Sequence, residues 1–340
     1  MLALMKSTTC VDVFDRAPAT GSRFQTLIKQ SFGPVKYLLG CAMHRRRNLY
    51  LALSGGTGQV IDLAYIVVAK LFRRAIYIHH HSFSYINAPS RLNFLLFRLV
   101  RGDTHVVLSS KMGGMLCDVY ALNRTNVVVV SNSAFYGAPE AGRSRPSTSA
   151  PVKIGYLSNI TFEKGFVEFF EIVRRLKTHG LDFRAEIAGP LAPAARDRFE
   201  QLRAELDEVA YLGPLYGADK ELFYRELDIF LFPTNYANEA EPLVVYEAMR
   251  EGVFVIACNR GAISEMLQHG AGLTFEHDEI TELATISIKK LIEDRDALMA
   301  AQDLALRQAQ RIRGTSTTAL ENLLTRMQGI APAEKIAGLI

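Results

Sequence analysis

Cysteine is scarce in this chain of 340 residues: Cys10, Cys41, Cys117 and Cys258 stand singly, with no C-x-x-C spacing and no paired histidine. That pattern excludes a zinc set and a disulfide framework, and leaves the four as small buried hydrophobes in a reducing compartment. Long hydrophobic runs are also missing. The longest, Ile61 to Ala69 and Phe94 to Val100, are interrupted by Asp62 or ended by Arg101, and both fall short of the roughly 20 residues that span a bilayer. The opening MLALMKSTT has no basic segment ahead of a long apolar core and no small-residue cleavage site, so the expected location is cytoplasmic.

What is present is the balance of a globular protein, with 49% hydrophobic and 22% charged residues. Single cores stop growing at roughly 250 to 300 residues, so this length predicts two domains. The net charge of +4 conceals an asymmetry. The first 150 residues hold 18 Lys and Arg against 6 Asp and Glu, and the remainder holds 21 against 29. A first part at +12 and a second at −8 point the first toward an anionic partner. No zinc spacing, RNA-binding signature or helix-turn-helix accompanies the basic residues, so nucleic acid is not expected. Arg45, Arg46 and Arg47 are consecutive, and Arg91, Arg98 and Arg101 flank the apolar LNFLLF run. These favour peripheral contact with the anionic inner face of the cytoplasmic membrane over a merely solvated surface.

Short β-branched or apolar runs alternate with segments of helical period, the pattern of a parallel sheet with crossover helices. Strands are predicted at Val11–Phe14, Leu49–Leu53, Ala75–His79, Thr104–Leu108 and Val127–Val130. Helices are predicted at Asp62–Phe72, Arg91–Leu99 and Lys111–Tyr120. The segment from Tyr136 to Pro151 is rich in Pro, Gly, Ser and Ala and reads as a linker. A second series follows, with strands at Lys153–Leu157, Arg184–Ala188, Val209–Leu212, Ile229–Phe232, Val253–Ala257 and Ala271–Thr274, and a long helical tail from Glu279. Ligands of such sheets sit beyond the carboxyl ends of the strands.

The chemistry-bearing residues fall there. After the strand ending at Phe232 come Glu239 and, eight residues on, Glu247, with Pro242 just before the helix that holds the second. A helix starting at Leu243 and Val244 directs free backbone N–H groups and its positive end at a ligand, which suits a diphosphate. The two carboxylates can then accept hydrogen bonds from hydroxyls on either side of it, sugar and ribose being natural donors. The plain alternative is a helix carrying Glu in its first turns for capping. Lys164 and Gly165 lie between the first strand of the second series and its helix, where a lysine can neutralise a leaving diphosphate.

In the first series, the strand AIYI runs into His79, His80 and His81. Successive side chains of an extended segment alternate sides, so the three cannot converge on a metal. A polar cap on a buried strand is the plain reading of any one of them, and a histidine that titrates near neutrality could instead hydrogen-bond a ligand hydroxyl. Gly55, Gly56, Thr57 and Gly58 form a second loop between strand and helix that could hold a donor or acceptor phosphate, or simply make a tight turn. It matches neither the P-loop nor the dinucleotide fingerprint.

The string EAEPLVVYEAM resembles the E-x7-E signature of the group 1 glycosyltransferases, the retaining GT-B enzymes of family 4. The resemblance covers nearly the whole chain and is most specific from Lys153 to Thr274. It implies two doubly wound Rossmann-like domains facing across a cleft: an acceptor-side domain at 1–135, a linker at 136–151, a nucleotide-sugar domain at 152–315 and a helical tail at 316–340. It places Glu239 by the donor sugar, Glu247 by the ribose and Lys164 by the donor phosphates, with His81 facing the sugar. Asn132 matches the asparagine of a hinge motif. Many relatives carry an arginine where this chain has Tyr156, with Arg260 as a possible substitute. The family's first strand and glycine-rich loop are not found ahead of VDVFDRAP, and MLALMKSTT resembles the end of its first helix.

The implied activity is transfer of a sugar from a nucleotide diphosphate sugar to a saccharide or lipid-linked acceptor in polysaccharide or lipopolysaccharide synthesis. No metal or other cofactor is implied, since helix dipoles and cations stabilise the leaving group. Two alternatives stand: a GT-B epimerase or phosphorylase, or a non-catalytic partner that binds nucleotide sugar without turnover.

Overall fold

A strand that is apolar at every position must be covered on both faces. The runs Ile229–Phe232 and Phe254–Cys258 are such strands, and in the computed structural model every residue of both is buried. The structure describes residues 23–43, 48–137, 150–206 and 208–328. The chain divides into two compact units, Met1–Phe135 with Ser316–Ile340, and Tyr136–Thr315.

In the second unit the elements run β5 (Val152–Leu157), α5 (Phe166–Thr178), β6 (Phe183–Ala188), α6 (Arg196–Glu205), β7 (Val209–Tyr211), α7 (Gly217–Glu226) and β8 (Ile229–Phe232). They continue as α8 (Leu243–Arg250), β9 (Phe254–Cys258), β10 (Gly272–Phe275), α9 (Ile280–Glu293) and α10 (Arg295–Met327). The six strands form one parallel sheet in the order β10-β9-β8-β5-β6-β7. Side-chain alternation sorts the two faces. Ile229, Leu231, Phe254 and Ile256 pack with Phe166, Phe169, Phe170 and Phe199. Phe230, Phe232, Val255 and Ala257 pack with Phe223, Tyr224, Val245 and Met249. Each such side chain contributes about 1.5–3 kcal/mol by leaving water, so these runs need no local alternation to be strands.

In the first unit, labels count from the N-terminus: α1 (Arg23–Met43), β1 (Leu49–Ala52), α2 (Gln59–Leu71), β2 (Ile76–His79), α3 (Arg91–Leu99), β3 (Thr104–Val107), α4 (Ser110–Tyr120) and β4 (Val127–Val129). The four strands are parallel in the order β1-β2-β3-β4. Helix α3 begins with a reciprocal cap, in which Ser90 Oγ accepts from the Asn93 amide at 3.2 Å and Asn93 Oδ1 accepts from the Ser90 amide at 2.8 Å. The Asn93 side chain also donates to Gln59 Oε1, which ties α3 to the start of α2.

The predicted strands from Leu49 onward match these to within one residue at either end. The strand predicted at Val11–Phe14, Cys10, the arginines at 45–47 and most of the predicted linker lie outside the described residues. Two readings change. The helical tail is continuous from Arg295 to Met327, and its last turns return to the first unit, where Leu320, Leu323 and Leu324 pack on Tyr77, Val106 and Val130. Tyr136, read as the first linker residue, belongs to the second unit. The chain's one Asp-x-Asp triplet, Asp294-Arg295-Asp296, has a spacing that elsewhere holds a metal. Here Asp294 Oδ1 accepts from the Ala297 amide at 2.9 Å and caps α10. Among the described residues no helix is long and apolar enough to cross a membrane.

Candidate functional site

The chain leaves β5 toward β6 and β7, then returns to β8 on the other side of β5. Loops diverge at such a switch point and open a crevice beyond the strand ends. Lys164 and Glu239 arrive there on the two diverging loops, 75 residues apart in sequence. Lys164 Nζ donates to Glu239 Oε2 at 2.6 Å, with side chains 21% and 11% exposed. The ammonium also lies over the Tyr236 ring, 4.7 Å from its centre.

Backbone contacts set this geometry. The Asn235 amide donates to the Glu163 carbonyl at 2.8 Å, which locks one loop to the other. Gly165 has φ +83°, and a Cβ on it would sit 2.0 Å from the Pro233 carbonyl oxygen. Glycine is therefore required for Lys164 to reach Glu239. Gly165→Ala is expected to destabilise the second unit by about 1–3 kcal/mol and to weaken any ligand held by the Lys164 loop. Denaturant melts and ligand titration check both, and an unchanged midpoint would show that the loop has room to move. Behind Glu239, Gly261 at φ +53° leaves space for the Glu239 and Ala240 carbonyls, each within 2.3 Å of its would-be Cβ. The Ala262 amide donates to the Ala240 carbonyl at 2.7 Å.

Tyr156, where relatives of the motif carry a phosphate cation, is fully buried. Its hydroxyl donates to the Lys164 carbonyl at 3.1 Å, and burial pushes its pKa above the usual phenol range. It holds the Lys164 backbone from beneath and offers no charge. Arg260 donates to Asn235 Oδ1 at 2.7 Å, so it stands beside the same loop.

Helix α8 follows Pro242, and a helix leaves its first N–H groups, here including those of Leu243 and Val244, without intrahelical partners. Glu247 lies in its second turn and is 6% exposed. Its Oε1 accepts from Lys220 Nζ at 2.6 Å and from the Tyr136 hydroxyl at 2.8 Å; its Oε2 accepts from Tyr224 at 3.3 Å. Burial first, and the Glu247 charge next, raise the pKa of both tyrosines, so they remain donors. A cavity of about 280 Å³ opens here, lined by Tyr136, Lys220, Tyr224, Glu247 and Arg250 among others. Sequence reasoning missed Lys220, Tyr136 and Tyr224. Lys220 sits in the first turn of α7 with no motif around it, and Tyr136 opens a low-complexity segment.

In the first unit, His81 and the Gly55–Gly58 loop stand at the carboxyl ends of adjacent strands, β2 and β1. His81 is exposed, and its ring lies 3.9 Å from that of His79. His79 is buried and its Nδ1 lies 2.5 Å from the Tyr50 hydroxyl. His80 turns the other way, into the core, so the three rings do not converge. Beneath the glycine loop the Asp62 carboxylate is fully buried and accepts from the Ser54 amide at 2.8 Å. A negative charge therefore already occupies the start of α2, which disfavours a phosphate there.

Residues 140–311 match the family model described as glycosyl transferases group 1. By structure the chain is similar to HepE of Anabaena in complex with UDP, at 18% identity and a TM-score of 0.69 over 90% of each chain. It is similar to a glycosyltransferase from Rickettsia africae at 15% identity and a TM-score of 0.68, over 96% of this chain and 87% of that one. It is also similar to the pneumococcal O-GlcNAc transferase GtfA in complex with UDP and GlcNAc, at 14% identity and a TM-score of 0.67, over 88% of this chain and 60% of that one. No curated protein matches the chain significantly.

Proposed function

The chain belongs to the group 1 glycosyl transferases and has the GT-B fold of its structural neighbours; from that premise we propose that it moves a sugar, with retention, from a nucleotide diphosphate sugar to a saccharide or lipid-linked acceptor, without a bound metal. The observation that carries the reading is the Lys164–Glu239 pair at the switch point of the second sheet, with the start of α8 and Glu247 following in the same segment.

In this reading the donor diphosphate lies against the α8 amides at Leu243 and Val244, where the positive helix end and Lys164 meet its charge. Glu239 accepts from sugar hydroxyls and Glu247 from the ribose. As the bond from the anomeric carbon to the diphosphate breaks, negative charge grows on the leaving oxygen, and Lys164 is the cation at hand. Lys220 supplies a second positive charge in the place of the arginine that Tyr156 displaces. UDP and UDP-glucose, seen bound in HepE of Anabaena, are the first donors to try. His81 is proposed to face the donor sugar near the transferring carbon, and the Gly55–Gly58 loop to face the acceptor. Asp62 beneath that loop favours a hydroxyl-bearing sugar over an anion.

A thermal-shift panel of nucleotide sugars, followed by turnover with and without saccharide acceptors, tests the assignment. Absence of any donor binding would sink it. Binding without turnover would favour a non-catalytic partner, and turnover without acceptor an epimerase or phosphorylase. One variant is diagnostic of the pocket. Tyr136→Phe removes an internal donor that the ribose must displace from Glu247, so nucleotide affinity is expected to rise about five-fold. A fall on titration would mean that the hydroxyl touches the ligand instead.

A further inference from the structure

Helix α3 is apolar on two faces, and the described residues of the first unit bury one and leave the other half or more exposed at Phe94 and Leu95, the Phe94 ring meeting Tyr120 along one edge. Asn93, Leu96 and Phe97 point inward and are buried. On the opposite arc of the helix, Arg91, Phe94, Leu95, Arg98 and Leu99 are all exposed, with Phe94 and Leu95 at 50% and Leu99 at 38%. An amphipathic surface helix ordinarily turns polar residues outward. Here the outward stripe alternates arginine with large apolar side chains and carries no acidic residue.

The surroundings share the sign. Residues 23–137 hold three described acidic side chains. Asp62 is fully buried, Asp103 is paired with Lys70 at 2.5 Å and Asp118 with Arg124 at 3.0 Å. Among described residues 23–137 each acidic side chain is therefore buried or paired with another cation, while Arg91 and Arg98 stay exposed; the unit's further described acidic side chain, Glu321, lies on α10. Arginine heads long enough to reach lipid phosphates, with aromatic and aliphatic groups between them, are what an anionic bilayer surface binds, the apolar groups sinking to the acyl boundary. A soluble protein partner would more commonly meet a patch with charges of both signs.

We propose that the outer face of α3 docks the first unit on an anionic lipid surface. The inference stands apart from the donor reading, because docking requires no sugar and involves residues of the first unit alone.

The test is flotation of the full chain with phosphatidylcholine vesicles, with and without roughly one-third phosphatidylglycerol, at low and high salt. Partitioning is expected only with the anionic vesicles and is expected to weaken in high salt. Arg91→Gln with Arg98→Gln should lower it about 25-fold, at about five-fold per arginine. Phe94→Ser with Leu95→Ser should lower it about ten-fold. Both arginines are exposed, so circular dichroism and melting of their variant should match the parent; Phe94 also meets the Tyr120 ring edge-on, its centre 5.2 Å away, and the arginine pair alone keeps the test decisive if the second pair misfolds. No vesicle binding by the native chain, or equal binding to neutral vesicles, overturns the proposal. Concentration-dependent dimers that the Phe94→Ser, Leu95→Ser variant abolishes, with no vesicle binding, would reassign the face to a second copy of the chain.

Discussion

Lys164→Ala is expected to lower sugar transfer by roughly 10²–10³-fold in kcat, the loss typical of removing one preorganised group from a developing negative charge. The expectation rests on where the ammonium sits. It is 2.6 Å from Glu239, mostly shielded, and held by a loop that Gly165 and the Glu163–Asn235 backbone bond keep in place. Structural damage must be separated from lost chemistry. The variant leaves the Glu239 carboxylate, 11% exposed, without its counter-charge, at a cost of about 1–3 kcal/mol. Adding Glu239→Gln should restore the melting point and leave turnover down. Near-normal kcat in Lys164→Ala, with a nucleotide-sugar donor that the parent uses, would remove Lys164 from the reaction.

The second large effect is acid lability confined to the first unit. Three of its histidines are buried and neutral. Tyr85 donates to His80 Nδ1 at 2.9 Å, His80 Nε2 donates to His105 Nδ1 at 3.1 Å, and His105 Nε2 donates to the Val100 carbonyl at 3.2 Å. A carbonyl can only accept, so the chain of donors fixes both tautomers and leaves no acceptor for an added proton. Burial pulls His105 down to about 4 and His80 well below the ordinary value. Burial, and next to it the neighbouring His81, draws His79 down to about 2.

The unfolded chain protonates these rings near 6.5. Their folded values are lower, so the unfolded state binds more protons as pH falls. The stability they confer is complete above about pH 6.5 and declines below it, by about 1.4 kcal/mol per histidine per pH unit. At pH 5 the three together approach about 6 kcal/mol, the size of a small domain's whole stability. In the second unit none of the described histidines, His179, His269 and His277, is buried. Amide exchange at pH 7.5 and pH 5 should therefore show protection lost in β2 and β3 while β5, β8 and β9 keep theirs. Equal loss in both units would contradict the assignment of acid sensitivity to this network.

By itself the sequence determined the alternation of strands and helices, because a parallel strand covered on both faces must be apolar throughout, as IFLF and FVIAC are. It also determined the spacing of Glu239, Pro242 and Glu247, which lie on one continuous segment, and the pairing of Lys164 with Gly165, since only glycine tolerates that loop's left-handed turn. Each of these is a local constraint and leaves a local mark. Only the tertiary structure decided who meets whom over long separations: Lys220 and Tyr136 on Glu247, Tyr156 beneath Lys164 rather than at a phosphate, His80 turned inward to His105, and Leu320 to Leu324 returned to the first sheet. A residue's type says what bond it can make. The order of the strands says which partner is within reach, and that order is set by how the whole sheet buries its two faces, which no single segment encodes.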